Sequence, residues 1–349
     1  MTQPDAPGLA LLHDRRLSVL AALLASLAVI AAIVLALSAD PFTVFSTIVD
    51  SSLGSKFTFG QTVMIGAILV LTGLAAAIPF SAHLWNVGGE GQLYFGAFAA
   101  FAATQVVGGL PGWLLPFVVL AAGMAAGALW GLIPGVLKTV ADANEVITSL
   151  MMSFVAILVA GVAINDIWPE GFGGQTESIP ANAALPYVWQ AADIDIGIVV
   201  ALVAAVVAWV LIARTRVGFE IRAAGLNPRA ARAGGIDVRR LPMVTFALGG
   251  ACAGAAGAIA VVGVNDSLIQ NFSQNYGFLG IAVAIVARLN PLAIVPSAAL
   301  FAILSVGSNG LEVQAGLSPA MGQILGAVFV IMLLAFQVVR LRYPEAGTS

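Results

Sequence analysis

Long apolar runs separated by short polar turns dominate the chain. Ten of them stand out, near 17–38, 58–79, 91–108, 113–136, 145–165, 194–213, 243–264, 277–287, 292–306 and 319–338. About 20 apolar residues carry a helix across the hydrocarbon core of a bilayer. The alternating segments of about ten residues that mark an outer-membrane barrel do not occur. Helices then satisfy the backbone without water. The pattern predicts an all-α integral membrane protein of about ten transmembrane helices, with both chain ends inside.

Charge sharpens that picture. Sixty per cent of residues are hydrophobic and nine per cent are charged. With the spans counted as above, Arg15, Arg16, Lys138, Arg214, Arg216, Arg222, Arg229, Arg232, Arg239, Arg240, Arg288, Arg340 and Arg342 share one side, and Lys56 falls on the other. Basic residues mark the cytoplasmic face. Asp40, Asp50, Asp166, Glu170, Glu177, Asp193, Asp195, Asp266 and Glu312 fall in the outer loops. Charge segregated in this way gives no sign of a nucleic-acid partner; the lipid bilayer is the partner it implies. Cys252 is the single cysteine, so neither an internal disulfide nor a cysteine metal site can form. His13 to Arg16 before an apolar run imitates a signal peptide. The run from Leu17 to Ala39 exceeds a normal signal core, so an uncleaved first helix is expected.

The chain reads as a single transmembrane domain over 1–349 with two notable loops. The outer loop 166–193 carries Gly171, Gly173, Gly174, Pro180 and Pro186 and is irregular. It has the length of a docking surface or lid. The inner loop 214–242 sets seven arginines against Glu220 and Asp237. Asn227 before Pro228 is a helix-start signal, and Gly234–Gly235 stops the stretch. A short amphipathic helix there points to a protein partner; a basic loop that only enforces orientation is the alternative.

Two stretches interrupt the spans. Pro79 to Gly91 places Asn86 and Glu90 in glycine-rich polar chain, and Arg288–Pro291 divides 277–306 into two short pieces. Broken helices in corresponding places point to a transport pathway, and irregular backbone at membrane depth must be buried or line a wet cavity. Ordinary turns at the membrane surface fit the same spacing. Gly123, Gly127, Gly131 and Gly135 form one bare helix stripe, and Gly250 and Gly254 another. Such stripes let helices pack closely in lipid.

Glu90 is the foremost candidate, because an ionisable group near the bilayer needs a cavity or a partner. It also sits where it could cap its own helix. His83 stands at a helix end, where it reads as a polar boundary residue or a substrate contact. Asn144 is a cap candidate for the fifth span, with Glu145 in its first turn. The run Asn265, Asp266, Gln270, Asn271, Gln274, Asn275 before Tyr276 and Phe278 mixes amides and rings that could hold a polar ring compound, or form a solvated loop. Trp85, Tyr94, Trp130 and Trp168 read as interfacial anchors. No HExxH, GxSxG or GxxxxGK[ST] motif occurs, so any ATP site must lie on another subunit.

Trp85-Asn-Val-Gly-Gly-Glu-Gly-Gln-Leu-Tyr-Phe-Gly-Ala97 resembles the N-[IV]-G-x-E-G-Q signature of permease subunits of nucleoside-type ABC importers, a group within the family shared with ribose and branched-chain amino-acid permeases. Trp130 to Lys138 with Asn144 to Met151, Gly218 to Asn227 with Ala230 to Ile236, and Tyr276 to Ala284 with Asn290–Pro291 resemble three further blocks of the same group. One departure stands out: where relatives often read F-R-A-G-L-F, this chain has Ser81 for the arginine and His83 for the glycine.

The resemblance implies a non-enzymatic transport subunit of the bacterial inner membrane, with no cofactor in this chain. ATP and magnesium would belong to a partner ATPase. It implies a second, non-identical permease and an extracytoplasmic substrate-binding protein. The substrate pathway would involve Trp85, Asn86, Glu90, Gln92, His83, Asn144, Ser153, Asn275, Tyr276 and Phe278. ATPase coupling would fall to Gly218, Arg222, Gly225, Asn227, Ala230, Ala231, Gly234 and Ile236. The solute would be a nucleoside or related heterocycle, with a sugar or purine base as competitor. An ion-coupled secondary transporter using Glu90 is the rival from another class; a membrane-embedded enzyme lacks a catalytic pair.

Overall fold

The computed structural model describes residues 28–36, 40–171 and 173–315, with Ala25, Ser318, Ala320, Met321, 324–328 and Ile331 besides. His13, Arg15, Arg16, Arg340, Arg342, the start of the first apolar run and much of the last lie outside the described residues, as does the side chain of Glu312. The helices are α1 (Ala28–Ala36), α2 (Pro41–Leu53), α3 (Lys56–Phe80), α4 (Gly89–Val107), α5 (Leu115–Ala141), α6 (Glu145–Val162), α7 (Gly197–Arg214), α8 (Arg216–Leu226), α9 (Pro228–Ala233), α10 (Leu241–Ile259), α11 (Tyr276–Val286) and α12 (Pro291–Ala315). Both α6 and α10 run on into wider π turns, Ala163–Ile167 and Ala260–Asn265.

Among the described residues six helices are long and apolar enough to cross a membrane: Lys56–Phe80, Leu115–Ala141, Glu145–Ile167, Gly197–Arg214, Leu241–Asn265 and Pro291–Leu311. The protein is thus a multi-pass, helical membrane protein. Two apolar runs of the sequence, 91–108 and 277–287, form helices that fall outside this set. The first, α4, carries Glu90 and Gln92 and is enclosed by protein. The second, α11, has only 11 residues. A further helix, α2, lies in a stretch read from sequence as outer loop. Asp40 starts it by accepting from the Thr43 N–H at 2.8 Å, and Pro41 fills the first turn, where no N–H is missed.

The chain divides into two compact units, 1–58 with 303–349, and 59–302. In the first, Ile30 and Val34 of α1, Val44 and Ile48 of α2, and Leu311, Met321 and Leu325 form one buried cluster. In the second, α4 is the centre, packed by α5, α6 and α10. Its Leu93, Ala97, Ala100 and Phe101 are buried.

The expected glycine stripes meet each other. A methyl added at Gly127 would strike the carbonyl of Gly250, and one at Gly254 would strike the carbonyl of Gly123. Gly96 of α4 abuts Gly254 from a third direction. Backbone against backbone is how helices gain packing where lipid gives no hydrophobic drive.

The loop 168–196 is ordered by a short hairpin, Tyr187–Trp189 against Ile194–Asp195. It is also stitched to the segment after α10. The N–H groups of Thr176, Ile179 and Leu185 reach the carbonyls of Leu268, Asp266 and Val262 at 2.8–3.1 Å. Asp195 is buried at the foot of the hairpin. One carboxylate oxygen accepts from the Gly197 N–H, while Oδ2 has no hydrogen-bond partner. Burial pushes its pKa up from 3.8 to about 7, with the Asp266 charge adding to the rise.

Two outcomes follow. Gly254→Val should cost roughly 1–3 kcal/mol from overpacking and lower the melting temperature of the detergent-purified protein. Gly161→Ala, with no atom near an added methyl, should not; equal melting temperatures for the two variants would reject the glycine contact. The folded pKa of Asp195 is raised, so its contribution to hairpin stability is full below about pH 4. It is lost progressively as the pH rises to about 7. Amide protection over 187–196, taken relative to the base-catalysed intrinsic rate, should therefore fall between pH 5 and pH 8, and Asp195→Asn should flatten that dependence. An unaltered pH dependence in Asp195→Asn would rule this out.

Candidate functional site

The site is built where α3 ends and α4 begins. The last turn of α3 closes with N–H bonds from Ala82, His83 and Leu84 to Pro79 and Phe80 carbonyls. His83 takes φ +55° there. That left-handed turn is one glycine enters without steric cost, and His83 stands where the resembled pattern carries glycine. Its ring is exposed on the turn. Trp85 is half exposed and lies against Phe80, ring centres 4.7 Å apart. Neither side chain reaches the buried polar residues that follow.

Asn86 and Gln92 do converge. Each amide donates to the other, at 3.0 and 3.2 Å. Asn86 also donates to the Ala75 carbonyl of α3 at 3.1 Å and accepts from the Gly88 N–H at 3.1 Å. Both residues are 1% exposed. The pair therefore locks the α3–α4 connection from inside. Ser149 and Ser153 of α6 hold the other flank, accepting from the N–H groups of Val87 and Gly91, both at 3.2 Å. A methyl at Gly91 would collide with the α6 backbone at Ser153, so the G-x-E-G spacing sets how closely α4 meets α6.

Glu90 is 2% exposed. The expected cap of its own helix is not what it forms. It reaches across to α11, where Oε1 accepts from the Ser273 hydroxyl at 2.6 Å and Oε2 from the Gly277 N–H at 2.7 Å. The Phe278 N–H also points at it. A carboxylate at a helix N-terminus meets the positive end of the dipole and the free N–H groups together. The residue at the cap position of α11, Asn275, is exposed, in a left-handed conformation, and makes no side-chain cap bond. Tyr276 is buried and Phe278 half-buried in this first turn.

Tyr94 lies one turn along α4 and corrects the expectation of an interfacial ring. It is buried, lies tilted against Phe272 with centres 4.7 Å apart, and its hydroxyl bonds the backbone of Ser273. Trp130 is likewise turned inward, stacked on Phe95 at 4.1 Å and donating to the Met152 carbonyl at 3.1 Å. Asn144 caps α6, accepting from Val146 and Ile147 N–H groups at 3.0 and 3.3 Å; it is exposed and belongs to the local cap. Ser273 and Ser149 escaped sequence reading, since an isolated serine in an apolar or amide-rich run carries no spacing signal. The second break does not repeat the first. Arg288 and Leu289 take φ +53° and +58°, but Arg288 and Asn290 are exposed, and Asn290 caps α12 through the Leu292 N–H at 3.1 Å.

The arginine-rich segment forms two short helices. Thr215 caps α8 through the Gly218 N–H at 3.1 Å. Asn227 caps α9 through the Arg229 and Ala230 N–H groups, both 3.1 Å. Ile221, Ala224 and Ala231 pack with Ala82, Ile212 and Leu241 in one cluster, with Leu84 and Ile236 against it. Gly225 is pressed onto the 81–83 turn, where a methyl would strike the Ser81 carbonyl and His83 Nδ1. Gly218 rests on the α7 backbone in the same way. Arg222 is half-buried; Asn227, Ala230 and Gly234 are exposed. So is Leu226, at 83%, an apolar tip that the arginine pattern concealed.

The permease component family of branched-chain amino acid transport systems matches residues 58–336. The chain is 33% identical to the glucose ABC transporter permease protein TsgB13 of Haloferax volcanii, over 89% of this chain and 85% of that one. It is 28% identical to the nucleoside ABC transporter permease protein NupB of Lactococcus lactis, over 90% of each. It is 32% identical to the guanosine ABC transporter permease protein NupP of Bacillus subtilis, over 85% and 86%. No solved structure matches.

The clamp on α11 should be visible in stability. Hydrogen bonds to a charged group contribute about 1.5–3 kcal/mol each. Glu90→Ala leaves the Ser273 hydroxyl and the Gly277 N–H without their acceptor. Glu90→Gln keeps an oxygen for Gly277, and the Ser273 hydroxyl can rotate to accept from the new amide. Melting temperatures should fall in the order wild type, Glu90→Gln, Glu90→Ala. A Glu90→Ala protein as stable as wild type would refute the clamp.

Proposed function

The chain belongs to the permease component family of branched-chain amino acid transport systems, and from that premise we propose that it forms the translocation pathway of an ATP-driven importer for nucleosides or related heterocycles. A sugar is the second reading, favoured by the similarity to a glucose permease protein. The chain crosses the bacterial inner membrane about ten times, with both ends inside. It works beside a second, non-identical permease, an ATPase that carries ATP and magnesium, and a binding protein on the outer face that docks on the 166–193 loop.

The observation that carries this reading is the seating of α8 and α9. Their inner face packs on the 81–84 turn, which leads straight into Asn86 and Glu90. Their outer face presents Leu226 and Ala230. A rigid element with one face on the α3–α4 break and the other free is built to pass a push from a bound ATPase. The 214–242 segment is the cytoplasmic coupling element in this account. Energy enters as a difference in ATPase affinity for two permease states. Glu90 is held by α11, so an ion-coupled carrier finds no free carboxylate there.

The test is Leu226→Glu or Ala230→Glu in the complete importer. Solute-stimulated ATP hydrolysis should fall at least tenfold, because each places a charge on the free face and leaves the packed face alone. Assembly, measured by co-purification of the second permease, should persist. Normal stimulation in both variants would overturn the coupling assignment.

A further inference from the structure

A cavity of about 390 Å³ opens beside α4, α6 and the segment before α11. Tyr94 forms its floor. Asn165 and Asp166 line it from the π turn of α6, and Gln270 and Asn271 from the opposite segment. The rest of the wall is aliphatic, including Ile157 and Ile164. Small-molecule sites run from about 300 to 1,000 Å³, with an apolar body and a few converging polar groups. The cavity meets both conditions.

Its walls are not loose chain. The 265–275 segment is stitched to the 168–196 loop through Thr176, Ile179 and Gln270. Phe272 packs against Tyr94, and Ser273 donates to Glu90. The clamp at the centre of the site therefore also fixes the wall of the cavity. The π turn lies on the other side: Asn165 and Asp166 sit in it and line the cavity from the end of a helix, a distortion that frequently marks functional sites. Asn165 is steadied by donating to the Gly161 carbonyl at 2.8 Å.

The chemistry selects a solute class. Asp166 is the one charged side chain among the described lining residues, and no cation faces the space. The N-terminus of α11, which in a broken-helix transporter could receive an anionic solute group, is already filled by the Glu90 carboxylate. A phosphate or free carboxylate would find repulsion and no donor cluster. A ring with hydroxyl or N–H groups would find amide and carboxylate acceptors and an aromatic ring at the floor. We propose that this cavity is a solute-binding site of the permease, that it takes a neutral hydroxylated ring compound, and that Glu90 is the positioning residue for its wall. The proposal rests on the importer reading and names the site within it.

Cysteine protection in the complete importer tests it. Gln270→Cys, with Asn165→Cys as the second variant, is labelled by a membrane-impermeant maleimide in the presence of guanosine, glucose, guanosine monophosphate or leucine. In parallel, wild-type uptake of each compound is measured. Guanosine or glucose, whichever is carried, should slow labelling at least fivefold at saturation, and the monophosphate and leucine should not. Asp166→Ala should raise the KM for the carried solute about tenfold at near-normal maximal rate. Glu90→Gln, compared with Ser273→Ala, should shift KM in the same direction, whereas a merely structural role would lower the amount of assembled importer and leave KM alone. Uptake of guanosine or glucose with no protection of either cysteine and an unchanged KM in Asp166→Ala would overturn the site and leave the importer reading standing. Uptake of, and protection by, leucine or the monophosphate alone would overturn the neutral-solute assignment and the solute class with it.

Discussion

A carboxylate buried in a membrane protein must be answered by donors, and most of this molecule's middle follows from how Glu90 is answered. An uncompensated charge away from water costs several kcal/mol. Donors at the start of its own helix are taken elsewhere, the Gly91 N–H by the Ser153 hydroxyl and the Gln92 N–H by the Gly88 carbonyl. The donors come from Ser273, just before α11, and from Gly277 in its first turn, 183 and 187 positions further along the chain. That single long-range pairing fixes where α11 starts and why the preceding segment turns through left-handed residues at Asn271, Gln274 and Asn275. It also explains why Gly277 must be glycine: a side chain there would run into Glu90 itself.

The glycines do the complementary task. Polar clamps hold only if the helices that carry them come close enough, and the stripes on α4, α5 and α10 bring backbone onto backbone. Gly91 against Ser153 and Gly96 against Gly254 place α4 between two neighbours. Close packing of this kind has few soft modes. The chain is interrupted beside this packing at the 81–88 connection and at the segment before α11. Both are polar, both are bonded to α4, and one of them carries the α8–α9 element on its outer side.

Much of this was legible in the sequence. The apolar runs gave the helices because a membrane span is a matter of length and composition, and the Asn227–Pro228 pair gave α9 because capping is local chemistry. The glycine stripes gave the packing faces because a four-residue repeat lies on one side of a helix. What stayed hidden was long-range. Nothing near Glu90 in the chain announces Ser273 or Gly277, so its role read as a choice between cap and pocket; it proved to be a cap, but of a different helix. Tyr94 read as an interfacial ring because aromatic residues usually sit there, and only the fold shows Phe272 and Ser273 against it. The α2 helix was missed because it lacks a long apolar run and begins from a single capped aspartate. The two breaks looked equivalent on spacing alone, yet one is buried and clamped and the other exposed, a difference set by what packs against them.

His83 shows how a departure from a family pattern can be read physically. The turn there needs φ near +55°, which glycine adopts freely and most side chains resist by about 1–2 kcal/mol. The His83 ring nitrogen lies against the bare face of Gly225 on α8, where a methyl would strike it. His83 therefore places a side chain at the joint between the two-helix element and the α3–α4 connection, while Asn86 and Gln92 bond to each other inside. Ser81 beside it bonds back to the Ala77 carbonyl at 2.8 Å and projects no charge. The departure thus falls on the exposed side of the joint, away from the buried amide pair.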